Sequence, residues 1–110
     1  MLTIGTHFDI LSSVVFNWNN EKNEALKRER GVFFEQVVVL IQEGHVLDIL
    51  EHPKPSQYQN QKFYIINIAN YAYVVPFVDG EDERFLKTIF PSRKYTQTYL
   101  RRNEDQNETI

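Results

Sequence analysis

The sequence predicts an α+β domain: a small antiparallel β-sheet with helices packed against it. Three observations carry this. Residues 20–30 are strongly polar and have helix end signals on both sides. Residues 62–68, 71–78 and 84–90 are three runs rich in β-branched and aromatic side chains, joined by short turns. Residues 92–102 then form a basic segment entered through Pro91 and Ser92.

Taken in order, residues 1–12 show no hydrophobic period and read as an N-terminal extension of uncertain structure. Residues 13–18 read as a short strand, because Val14, Val15, Phe16 and Trp18 favour extended backbone. Asn19 offers a side-chain oxygen to the free N–H groups of a following helix, and Glu21 and Glu24 suit its positive end. Lys27, Arg28 and Arg30 suit the negative end, and Gly31 can take the left-handed conformation that stops it. With only Ala25 and Leu26 apolar, this helix belongs on the surface. The run Val37-Val38-Val39-Leu40-Ile41 favours a strand by propensity, while Glu35, Gly44 and its length suit a buried helix; the pattern alone permits either. Residues 46–50 read as an extended segment or loop, and 51–60 as a polar connection broken by Pro53 and Pro55.

The three later runs must pair antiparallel, because Ala69-Asn70 and residues 79–82 are too short for a parallel crossover. Pro76 cannot donate to a ladder and predicts a bulge or an unpaired stretch. Pro91 fits the first turn of a terminal helix over residues 92–102. Both faces of the 62–68 strand are apolar, Tyr64, Ile66 and Ile68 on one and Phe63 and Ile65 on the other. One face is expected under helices, the other partly open or covered by a partner.

Length and composition narrow the class. At 110 residues the chain supports one core, hence one domain over residues 13–102. No apolar run approaches the ~18 residues of a membrane span, and no signal peptide is visible, so a cytoplasmic protein without a membrane partner is expected. Zero cysteines exclude a disulfide framework and thiolate metal sites. His7, His45 and His52 share no spacing, so neither a metal nor a cofactor is expected. The net charge of −3 is unevenly spread. Of 15 acids, Glu104, Asp105 and Glu108 lie in an acidic tail, residues 103–110, read as disordered; the other 12 balance 12 bases. From Arg84 to Arg102 there are six bases and no acid, a local field suited to phosphate.

Two separated signatures carry a resemblance to a family. One is Phe16-Asn17-Trp18-Asn19 with Lys22 and then Arg30-Gly31-Val32-Phe33-Phe34-Glu35. The other is Phe85-Leu86-Lys87-Thr88-Ile89-Phe90-Pro91-Ser92-Arg93-Lys94. In this order they resemble the BrnT toxins of bacterial type II toxin–antitoxin pairs, over roughly residues 14 to 101. The resemblance implies a RelE-like ribonuclease fold and makes residues 34–42 a helix, which with the elements read above completes the order β-α-α-β-β-β-α. It also implies a ribbon-helix-helix antitoxin as partner, RNA as substrate, on or off the ribosome, and DNA contact only through the antitoxin complex. The chain departs from the family pattern at Glu29-Arg30-Gly31, where relatives carry Lys-His-Gly, at Leu26 (an Asn there) and at Asn19 (an Asp).

Metal-independent RNA cleavage needs cations at fixed geometry to hold the phosphate while the neighbouring 2′-OH attacks it. Arg93, at the family's recurrent Arg after the last strand, Lys94, Lys87 and Tyr99 are the catalytic candidates. Arg84, Tyr73, Tyr95 and Arg101 are the RNA-binding candidates, the tyrosines by stacking bases or bonding phosphate. Arg30 does not replace a proton-carrying histidine, because a guanidinium does not deprotonate usefully. A non-catalytic module that only binds its antitoxin is the alternative. A repressor acting alone is disfavoured, since no helix-turn-helix is visible.

Overall fold

The computed structural model describes residues 8–9, 14–54 and 56–101. Helix α1, Asn20–Arg30, forms where its end signals place it. Asn19 is extended and accepts from the Lys22 N–H at 2.9 Å; Gly31 takes φ 70° and returns its N–H to the carbonyls of Leu26 and Lys27. Helix α2, Phe34–Gln42, resolves the open alternative in favour of helix. Phe34, Val37 and Val38 fall on one helical face and are fully buried, whereas Val39 is exposed. A strand would have put Val37 and Val38 on opposite faces.

Phe33, the residue before α2, has no side chain able to cap it, so the cap comes from α1. Asn23 is buried within α1; its Oδ1 accepts from the Phe34 N–H at 2.8 Å and its Nδ2 donates to Glu35 Oε1 at 2.8 Å. Asn23→Ala strands that buried N–H and is expected to cost about 1–3 kcal/mol. A urea titration checks this; a loss under about 0.5 kcal/mol, the scale of an ordinary surface change, would remove Asn23 from the fold's supports.

The strands are β1 (Phe8–Asp9), β2 (Val14–Asn17), β3 (Val46–Glu51), β4 (Gln61–Ile68), β5 (Tyr71–Asp79), β6 (Glu83–Leu86) and β7 (Phe90–Pro91). They form one sheet in the order β1-β2-β6-β5-β4-β3, with β7 also against β5. The fold class is α+β as expected, but the sheet is mixed and the expected element order is corrected in four places. First, β2 runs parallel to β6, pairing Phe16 with Arg84; the long path through α1 to β5 permits what a short turn cannot. Second, residues 46–51 are a true edge strand on β4, with a register shift between Val46 and Asp48. Third, within the region read as an extension, Phe8–Asp9 pairs with β2. Fourth, the expected strand 84–90 is two strands, and Pro91 lies in β7 rather than in a helix. The rest of the extension, Arg102 and the acidic tail lie outside the described residues.

Pro76 explains the fourth correction. Its carbonyl accepts from the Lys87 N–H at 2.8 Å, so the nitrogen of the same residue faces the same neighbour and has no hydrogen to return. The ladder between β5 and β6 therefore ends there, and pairing resumes only at Phe90 and Pro91, opposite Val74 and Tyr73. On the β4 side Pro76 simply opposes Phe63, and no bulge forms. Ala69 and Asn70, at φ 53° and 66°, make the tight turn between β4 and β5.

The two sheet faces have different covers. α1 and α2 lie on the face of Phe16, Tyr64, Ile66, Val75, Phe77 and Leu86, burying Leu26, Phe34 and Val37. The other face, Ile65, Ala72 and Val74 with Phe63, is covered by the C-terminal helix through Tyr95, Tyr99 and Leu100. That second face is closed by the chain itself, which corrects the expectation of an open or partner-covered face. The helix is α3, Arg93–Thr96, widening into a π-helical segment over Gln97–Arg101.

Candidate nucleic-acid interface

The break in the ladder creates the chemistry-bearing edge. Beyond Lys87 the chain leaves β5, and Ile89 turns into the core, fully buried. The carbonyl of Ile89 is then taken by Arg30, whose Nη1 donates at 2.6 Å from the end of α1. Gly31 stops α1 so that Arg30 stands at this point. Sequence reasoning weighed Arg30 as a charge at the helix end and rejected it as a proton carrier, and missed this clamp; a contact across 59 residues leaves no local signal.

The cations of α1 and of the chain after β6 differ in how they are paired. Lys27 is paired with Glu24 at 3.2 Å. Arg28, Lys87 and Arg93 are exposed and take part in no ion pair among the described residues. Residues 67–78 and 85–102 contain no Asp or Glu, so nothing on these stretches neutralises the edge.

The C-terminal helix is pinned to the same edge. The Ser92 N–H donates to the Ala72 carbonyl at 2.9 Å, and Ser92 Oγ caps the Tyr95 N–H at 3.1 Å. Thr96, buried, accepts from the Ala72 N–H at 2.8 Å and donates to the Ser92 carbonyl at 2.7 Å. Ser92, the residue before Arg93, is thus held level with Ala72, and Lys87 level with Pro76. Four residues of β5 separate those levels, about 13 Å at ~3.3 Å per residue. Lys94 stands next to Arg93, with its Nζ 5.3 Å from the centre of the Tyr95 ring. The structure arranges Lys87, Arg93 and Lys94 as a strip along β5 rather than as one pocket.

The remaining sequence candidates separate. Arg84 lies on the α1/α2 face, donating to the Tyr64 hydroxyl at 2.5 Å and to Asp79 Oδ1 at 3.2 Å. Lys62 donates to the other Asp79 oxygen at 3.0 Å. Burial pushes the Asp79 carboxyl up, but the hydrogen bond from Lys62 and the charge of Arg84 outweigh it and hold the group below its ordinary value. Arg84 is likewise held further protonated, because Tyr64 and Asp79 outweigh burial. This network staples β4, β5 and β6, and Arg84 does not join the strip. Tyr73 is half-buried against the α1/α2 core, opposite Pro91. Arg101 Nη2 reaches the Asn70 carbonyl at 3.4 Å.

Tyr95 and Tyr99 pack on the opposite face, their ring centres 6.0 Å apart. The Tyr99 hydroxyl donates to Asp48 Oδ2 at 2.5 Å, while Asp48 Oδ1 accepts from the Ile49 N–H at 2.8 Å. Asp48 therefore latches the C-terminal helix to the edge strand β3. The hydrogen bond to Asp48 is the main reason the Tyr99 phenol is pushed up to about 12. A phenol held protonated so far supplies no base near neutral pH, and its geometry is that of a docking residue. The folded value exceeds the unfolded one, ~10, so the latch stabilises fully below pH ~10 and is lost as pH rises through 12. Wild type is expected to lose more urea stability between pH 9 and 11.5 than Tyr99→Phe does; equal losses would contradict the latch.

Among the described residues no three His, Asp or Glu side chains gather as metal ligands do, and no helix is long and apolar enough to cross a membrane. No family model, curated protein or solved structure matches the chain.

Proposed function

We propose that this chain is the toxin of a type II toxin–antitoxin pair, BrnT-like and with a RelE-like arrangement, which blocks translation by cleaving RNA without a metal. The observation that supports it best is the acid-free strip of Lys87, Arg93 and Lys94, fixed by the Arg30 clamp and the Ser92–Thr96 pins. In this reading phosphates lie along the strip. The 2′-oxygen of one ribose bonds to its phosphorus as the bond to the 5′-oxygen of the next nucleotide breaks. The 2′-proton passes to water, the departing 5′-oxygen takes one, and the cations stabilise the charge gathered on phosphorus. The products are a 2′,3′-cyclic phosphate and a free 5′-hydroxyl. The partner is a ribbon-helix-helix antitoxin, through which alone the complex meets DNA, and the setting is the cytoplasm.

A second reading, a catalytically idle relative that binds the antitoxin, draws on the commitment of Tyr99 to Asp48 and of Arg30 to Ile89. RNA and a translation extract, each incubated with purified protein in excess chelator, separate the two. Cyclic-phosphate ends support the nuclease. Intact RNA with undiminished translation selects the idle relative.

A further inference from the structure

Strand β3 ends the sheet, so its outer side meets no other strand among the described residues. The register fixes which backbone groups face outward. The His52 N–H donates to the Gln61 carbonyl at 3.2 Å, and Leu50 and Asp48 follow in step opposite Phe63 and Ile65, so these residues turn their N–H and carbonyl groups toward β4. Ile49 and Glu51, between them, turn theirs to the open edge. A register shift before Asp48 and Pro53 beyond the other end confine the regular open stretch to residues 48–51. Ile49 stands within it with its side chain 49% exposed.

Such an edge is complementary to a second copy of itself. Two β3 strands brought together antiparallel about a two-fold axis at Ile49 set each Ile49 opposite the other; the side chains meet and the two residues exchange both hydrogen bonds. One group stands in the way. Asp48 Oδ1 already accepts the Ile49 N–H at 2.8 Å, while Oδ2 is held by the Tyr99 hydroxyl. The carboxylate thus occupies the donor that both central bonds need, and pairing would strip it of water as well. The outward N–H of Glu51 has no such side-chain acceptor among the described residues. We propose that Asp48, held in place by Tyr99, blocks the β3 edge against pairing with a second copy and so keeps the protein monomeric. This is independent of the RNA-cleavage reading.

Sedimentation equilibrium of the full chain tests it. Wild type is expected to stay monomeric, and Asp48→Ala to self-associate at least about tenfold more tightly, the scale of two hydrogen bonds freed to form. Asp48→Asn keeps an oxygen for the Ile49 N–H and should behave as wild type. Adding Ile49→Lys to Asp48→Ala should restore the monomer, because like charges would meet at the axis. Asp48→Ala as monomeric as wild type, or a dimer that survives Ile49→Lys, overturns the inference. Should Asp48→Ala fail to fold, amide hydrogen exchange in the wild type decides alone. The Ile49 N–H is expected to exchange at least about tenfold more slowly than the outward Glu51 N–H, each corrected for its intrinsic rate; equal rates overturn the block.

Discussion

Phe34→Ala is expected to destabilise the fold by about 3–5 kcal/mol, the range for removing a fully buried aromatic ring. Phe34 is 0% exposed and stacks on Trp18 at 5.6 Å. It is also the first residue of α2, and its N–H is the donor that Asn23 satisfies. The ring therefore closes the junction where β2, α1 and α2 meet, and neither Trp18 nor Leu26 can fill its volume without leaving its own site. A domain of this size holds roughly 5–15 kcal/mol in all, so one substitution removes a large share. At about 4 °C per kcal/mol, the melting temperature should fall roughly 12–20 °C. Val39→Ala, on the exposed side of the same helix, should stay within about 0.5 kcal/mol of wild type and serves as the control. Equal melting of the two variants would mean that α2 does not bury the face described here.

Much of this architecture is written locally. Asn19 and Gly31 bracket α1 so closely that its bounds can be read from composition, because both caps act within one helical turn. The antiparallel run of β4 and β5 is equally local, being set by a two-residue turn. What the sequence hides depends on residues far apart. The run at Val37 carries β-branched side chains that suit a strand, and only the burial of Phe34, Val37 and Val38 on one face decides for helix. The split of the last strand depends on Pro76, ten or more residues earlier, and becomes visible only once β5 and β6 are neighbours. The parallel pairing of β2 with β6 has no local signature at all.

The candidate site divides in the same way. Acid-free charge between Arg84 and Arg102 is a property of the chain, so Lys87, Arg93 and Lys94 can be picked out as candidates from the sequence. Which cations share a surface is a property of register. Arg84 points to the α1/α2 face because its step along β6 matches that of Leu86, and there it meets Asp79 and Tyr64. Tyr99 is claimed by Asp48, 51 residues away. Arg30, set aside as a failed histidine, fixes the linker on which Lys87 depends. The C-terminal helix closes a sheet face that apolar alternation alone left looking open.

Arg93→Ala is expected to lower the RNA cleavage rate about 10²–10³-fold, the scale of removing one fixed donor from a charge-stabilising site. Arg93 is exposed and unpaired among the described residues, so its melting temperature should match wild type and the loss is one of chemistry. Arg93→Lys keeps the charge but not the two-pronged geometry, and should recover only part of the rate. Lys87 and Ser92, the residue before Arg93, lie about 13 Å apart along β5, beyond the ~7–10 Å within which substitutions usually couple. If the two meet different phosphates of one strand, the double variant should lose the product of the two single losses, to within about twofold. A double variant no worse than Arg93→Ala would instead place both cations on one phosphate and contradict the strip. Cleavage undiminished in Arg93→Ala would remove the strip from the reaction and leave the idle-relative reading in its place.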